Sequence, residues 1–148
     1  MPRMTEESER DLYHNLSYYT LNHPGRAFIH QLIVDAFGAQ QADARTKPIR
    51  LAFALIGLYL HIEKGYTGKQ VQQAHVRLAR NRRSWPTFRL PKDRGPVTVS
   101  EVLAAPPGPE RDAAIERWSR SVWSAYRDVH EQVARLLEDD PGETGRQS

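Results

Sequence analysis

Apolar positions recur along most of the chain at steps of three and four, and no window alternates with period two, so the pattern predicts helices and no sheet. A first helix is expected over residues 5–21, with Thr5 as N-cap, acidic residues in its first turn and Leu12, Leu16 and Tyr19 on one face. His23, Pro24 and Gly25 punctuate it. A second helix is expected over residues 24–41, where Phe28, Ile29, Leu32, Ile33, Ala36 and Phe37 make a core-facing stripe. The third runs from a Thr46 cap through Pro48 to Gly65, which stands where a left-handed C-cap belongs. Between these ends the residues are apolar nearly all round (Leu51, Phe53, Leu55, Ile56, Leu58 and Leu60 among them), which predicts a central helix with neighbours on several sides.

Thr67 caps a fourth helix whose Val71, Ala74, His75, Leu78 and Ala79 are expected to face inward, with arginines at its negative end. The periodicity breaks over residues 84–95, which hold Trp85, Pro86, Phe88 and Pro91. Thr98 and Glu101 have capping-box spacing and open a short helix that stops before Pro106. One long helix follows from Pro109. Its seam, Ile115, Trp118, Val122, Ala125, Val129, Val133 and Leu136, is widened by Trp123, Tyr126, His130 and Leu137. The expected fold is a single-domain, all-α bundle of five or six helices with a long C-terminal helix, over residues 1–138, followed by a polar, disordered tail at 139–148.

The chain has 148 residues and a mass of 17.0 kDa, enough for one domain with its own core. Cysteine is absent, which excludes disulfides, iron-sulfur clusters, thiol catalysis and cysteine-ligated zinc, and suits a reducing cytoplasm. The first residues are charged and lack the apolar core of a signal peptide, and the longest apolar run, residues 51–60, is about half of a membrane span. A cytoplasmic protein with no membrane partner is therefore expected. Net charge is only +3, yet residues 76–95 hold seven cations against the single acid Asp93, a local +6 that leaves the rest of the chain at −3. A basic segment on a mildly acidic body suits an anionic partner.

Glycine-rich phosphate loops, nucleophile elbows, H-E-x-x-H and EF-hand patterns are all missing. The chemistry that remains is in six histidines and the basic segment. His30 and Asp35 fall on opposite edges of the second helix's stripe, whereas His75 and His130 lie within apolar stripes. A divalent ion such as zinc held by His30, His75 and His130, with Asp35 or Glu63 as general base, is one reading. The simpler one is that each histidine stacks and bonds to a neighbouring carbonyl or carboxylate. His14, His23 and His61 read as surface or helix-end residues. Arg77, Arg80, Arg82, Arg83 and Arg89, with Trp85 interleaved, form the candidate anion or partner surface. Their competing role is to stabilise a helix C-terminus and cover apolar surface.

The stretches His30-Gln-Leu-Ile-Val-Asp-Ala-Phe37, Leu58-Tyr-Leu-His-Ile-Glu-Lys-Gly65 and Thr98-Val-Ser-Glu-Val-Leu-Ala-Ala105, with Trp118 to Trp123 leading to His130, resemble an uncharacterised family of small bacterial helical proteins, a domain of unknown function. The resemblance spans roughly residues 12–137 and implies that His30, Asp35, Glu63 and His130 are the polar residues to watch. A second histidine often stands in that family where this chain has Gln41, eleven positions after His30, and its loss weakens a metal site on that face. A more distant fold likeness is to metal-binding helical bundles of the DinB type, which use three histidines.

The expected function is that of a non-enzymatic helical interaction protein, with a homodimer as one form of it, using the basic surface over residues 77–94 to meet a protein or another anionic ligand. The alternative is a metal-dependent, DinB-like hydrolase or transferase. A third reading is an anion- or nucleic-acid-binding regulator, although no reader module accompanies the charge.

Overall fold

The computed structural model describes residues 2–22, 27–82 and 84–138, with side chains from Glu9 in the first helix and from His30 in the second. The side chains of Thr5, Phe28 and Ile29, and all of His23, Pro24, Gly25, Arg83 and residues 139–148, lie outside the described residues. The elements are α1 (Pro2–Leu21), α2 (Ala27–Gln40), α3 (Pro48–Lys64), α4 (Gly68–Asn81), α5 (Val99–Ala104), α6 (Pro109–Ala125) and α7 (His130–Glu138), with a 3-10 turn at Arg127–Val129 between the last two. No strand occurs among the described residues. None of their helices is long and apolar enough to cross a membrane.

α3 sits at the centre, packed against α2, α4, α6 and α7. Its Leu55, Ile56 and Leu58 are fully enclosed, and each such side chain contributes about 1.5–3 kcal/mol through removal from water. Gly65 closes the helix in the left-handed region at φ 71°. There its amide donates to His61 O and that of Tyr66 donates to Leu60 O, satisfying two terminal carbonyls.

The other end differs from expectation, because Thr46 does not cap α3. The residue before a proline is driven into extended backbone, so Lys47, ahead of Pro48, becomes the N-cap. Thr46 is then one residue too far out, and its hydroxyl accepts from the Asp43 amide in the preceding turn at 3.0 Å. Thr67 does cap α4, in a capping box with Gln70. Thr98 occupies the N-cap of α5, but its hydroxyl makes no capping bond. Ala79 is exposed rather than inward. Val71, Ala74 and Leu78 complete the buried stripe of α4, and Ala79 is turned about 100° from Leu78.

The predicted single C-terminal helix is broken, which gives seven α-helices among the described residues instead of five or six. Tyr126, the C-cap of α6, is buried and donates its hydroxyl to Ala39 O at 2.7 Å, tying the chain to the end of α2. His130 Nε2 then donates to Trp123 O at 2.6 Å while its ring stacks on Trp123 at 3.7 Å. With these anchors the chain turns, so that Ile115, Trp118 and Val122 of α6 and Val133 and Leu136 of α7 all reach the same core.

His61, expected as a surface or helix-end residue, stands in the last turn of α3 and joins that helix to α6. Its Nε2 donates to Glu116 Oε1 at 2.8 Å and its Nδ1 donates to Tyr66 O at 3.1 Å. Both neighbours accept, so the imidazolium is the form that fits. The bond to Glu116 raises the His61 pKa above 6.5 and lowers that of Glu116 below 4.5. The histidine's share of stability is complete below its unfolded pKa and is lost as pH rises through the raised folded value. The carboxylate's share is complete above its unfolded pKa and is lost as pH falls through the lowered one. Glu116→Gln should therefore cost most between about pH 4.5 and 6.5 and less on either side, by urea denaturation across pH. The Glu116 side chain is 38% exposed, so the loss stays at or below about 1 kcal/mol.

Candidate functional site

The structure divides the basic segment. Arg77 and Arg80 flank a shallow depression of about 400 Å³ on the outer face of α4, beside Val76. Arg82 lays its guanidinium over the Trp85 ring at 5.5 Å, and Trp85 meets Phe53 edge-on at 5.2 Å, so Trp85 serves packing. Arg94 turns inward, donating from Nε to Pro91 O at 2.7 Å and from Nη1 to Gln40 O and Ala42 O. Arg89 and Lys92 are exposed and stand over a different feature, a cleft of about 560 Å³ between residues 89–96 and the junction of α6 with α7.

The walls of this cleft are held from the end of α2. Gln40 donates from Nε2 to Val97 O at 2.8 Å, accepts from Trp118 Nε1 at 2.9 Å through Oε1, and its carbonyl takes Arg94. Tyr126 binds the neighbouring carbonyl of Ala39. The irregular segment and the helix break are thus fixed to one helix end, through the carbonyls of Ala39 and Gln40 in its last turn. Gln40 and Tyr126 stand out only in hindsight as site-building residues, yet a signal exists. Gln40 continues the stripe of Ile33 and Ala36, and an amide on a core-facing stripe must find hydrogen-bond partners.

Three cations, Arg89, Lys92 and Arg127, rim the cleft together with Asp93 and Asp128, which leaves one net positive charge. Asp93 is fixed in place, its Oδ1 accepting from the Gly95 amide at 2.9 Å. Gly95 has φ 99°, and a Cβ there would lie 2.4 Å from Ser121 Oγ and 3.0 Å from Ser121 O. The segment can approach α6 this closely only as glycine, and Ser121 Oγ is buried beneath it without a hydrogen-bond partner. Gly95→Ala is expected to cost about 2 kcal/mol, a fall of roughly 4–8 °C in melting temperature. Adding Ser121→Ala should recover part of the loss, since the contact with the Ser121 carbonyl and the positive φ remain.

The three histidines of the alternative metal reading are not brought together. His30 Nδ1 lies 2.9 Å from Thr20 Oγ1, and burial lowers its pKa. His75 donates to Phe53 O at 2.9 Å, stacks on the Phe53 ring at 4.6 Å and is likewise lowered by burial. His130 is occupied with Trp123. Each ring is turned to a local acceptor on a different helix, and among the described residues no group of three or more histidines and carboxylates is placed to hold a metal ion. Of the two carboxylates offered as general bases, Asp35 is enclosed between α2 and α3, and Glu63 accepts from Trp123 Nε1 at 2.9 Å. Glu63 and His130 thus share Trp123 as a neighbour. None of the described histidines lines the cleft.

A family model described as "Family of unknown function (DUF5946)" matches residues 7–127, and the chain belongs to that family. The match covers His30, Asp35 and Glu63 and ends at the helix break, with His130 and α7 beyond it. No curated protein and no solved structure matches the chain.

Proposed function

We propose that the protein is a non-enzymatic binding protein of the cytoplasm, whose ligand surface is the cleft between residues 89–96 and the α6–α7 junction, and whose partner is anionic. The observation that carries this reading is the cleft itself. Its volume of about 560 Å³ falls in the range of ligand pockets, and three cations stand at its rim. The hydrogen bonds of Gln40, Arg94 and Tyr126 fix its walls from within the fold, so little ordering is left for binding to supply. Relative to the basic surface over residues 77–94 expected from sequence, the reading keeps Arg89 and Lys92, adds Arg127, sets aside Arg77, Arg80 and Arg82, and leaves Trp85 and Arg94 to packing.

The test compares the wild type with Arg89→Glu/Lys92→Glu/Arg127→Glu. An acidic decapeptide of glutamate, inorganic phosphate and 2-naphthoate are titrated into each protein by calorimetry, at two salt concentrations. At least one anion should bind the wild type, weaken as salt rises and lose tenfold or more in affinity in the variant. Absence of binding by all three, or equal binding by wild type and variant, would exclude the cleft as the anion surface.

A further inference from the structure

The geometry points to a small amphipathic monoanion as the ligand of this cleft: an organic acid with one carboxylate and an apolar body. This rests on the reading that the cleft is the binding surface. Charge is the first argument. Arg89 and Lys92 make no hydrogen bond or ion pair among the described residues, so their charges are free to meet a ligand. Asp93 and Asp128 stand at the same mouth, and Asp93 is held there by the Gly95 amide. A ligand with one negative charge matches the single net positive charge of the rim. Each further negative charge brings repulsion from the two carboxylates at the same rim, which disfavours a phosphodiester chain or an acidic peptide.

The second argument is where polarity lies. The inner polar groups are already satisfied: the Tyr126 hydroxyl by Ala39 O, and the Arg94 guanidinium by the carbonyls of Pro91, Gln40 and Ala42. The Ser121 hydroxyl is sealed beneath Gly95. The walls therefore offer a ligand carbon from Leu90, Pro91, Pro96 and Ala125 beside a comparable extent of polar surface that includes the exposed Ser124, while the exposed charges form the mouth. A carboxylate at the mouth can meet the planar fork of an arginine with two parallel hydrogen bonds, and the apolar body then covers the carbon of the walls. A neutral molecule of the same body forgoes the first contact, and a small inorganic anion forgoes the second.

Three probes with one body separate these possibilities: 2-naphthoate, naphthalene-2,6-dicarboxylate and 2-naphthylmethanol, titrated at pH 7.5 and followed by amide chemical shifts. The monocarboxylate should shift amides within residues 89–96 and 121–129 and bind at least tenfold tighter than either of the others. Arg89→Gln/Arg127→Gln should weaken it at least tenfold while preserving the dispersed amide spectrum of the folded protein. Tighter binding of the dicarboxylate or the alcohol, or unchanged binding by the double variant, would overturn the inference. If the glutamate decapeptide binds and depends on the three rim cations while 2-naphthoate does not bind, the inference falls and the cleft still stands as an anion surface. If none of the glutamate decapeptide, phosphate and 2-naphthoate binds, both fall.

Discussion

Gly57→Ala should destabilise the protein by about 3 kcal/mol, lowering its melting temperature by roughly 6–12 °C. In the interior of a helix this substitution ordinarily stabilises by close to 1 kcal/mol, because alanine loses less backbone freedom than glycine. Here the sign is reversed by α2. A Cβ on Gly57 would stand 1.9 Å from Asp35 Oδ2 and 2.5 Å from its Cγ. The carboxyl has little room to retreat, since Asp35 is only 4% exposed and its Oδ1 is held by Gln31 Nε2 at 3.1 Å. Gln31 is itself held from α4 by Gln72, which donates to its Oε1 at 3.1 Å. Relief must come from moving α2 off α3, which opens the centre of the core. The cycle with Asp35→Ala tests the cause: the added methyl can use space the carboxylate vacates, so the double variant should be more stable than the two separate losses predict. Additive losses in urea denaturation, or a Gly57→Ala protein as stable as wild type, would refute this contact as the reason for the glycine.

Asp35→Asn should stabilise the protein at neutral pH. Burial holds the Asp35 carboxyl well above its ordinary value of 3.8, and the hydrogen bond from Gln31 only partly opposes this. The direction of the pH effect follows from proton binding. Below about pH 4 the side chain is protonated in both folded and unfolded chains and pH has no leverage. Above that value the unfolded chain releases its proton while the folded chain keeps it, so stability falls by about 1.4 kcal/mol per pH unit until the raised folded pKa is passed. Asparagine keeps an oxygen for Gln31 and has no charge to bury, so the variant's advantage should grow as pH rises above 4 and level off once the raised folded value is passed. Urea denaturation of both proteins at unit steps of pH reads this directly. A difference that stays constant from pH 4 to 7 would show that Asp35 ionises as freely in the folded chain as in the unfolded one. This range begins lower than the one in which His61 loses its share, above pH 6.5, so the two groups are separable.

Neither contact is written in the periodicity of apolar residues. Asp35 reads as a polar residue at the edge of the α2 stripe and Gly57 as a tolerated glycine in an apolar run; each has meaning only once α2 lies on α3. The histidines make the same point. His30, His75 and His130 are legible as inward or edge-facing residues, and all three are half-buried. Whether they converge depends on helix rotation and crossing, which spacing along one helix does not encode. The family resemblance read from the motifs agrees with the family match over residues 7–127.

What the chain determines by itself is local. The all-α composition, the central place of α3, the left-handed stop at Gly65 and the Thr67 cap follow from side-chain periodicity and backbone preference within a few residues. Tertiary structure alone decided the break after Ala125, because the bonds that hold it join Tyr126 to Ala39 and His130 to Trp123, outweighing a helical pattern that runs on without interruption. It likewise sorted the basic segment, sending Arg94 inward to carbonyls more than fifty residues away while leaving Arg89 and Lys92 over the cleft. An arginine's charge is visible in sequence, but its destination depends on which unpaired carbonyls lie within reach, and those appear only when the end of one helix is packed against a distant loop.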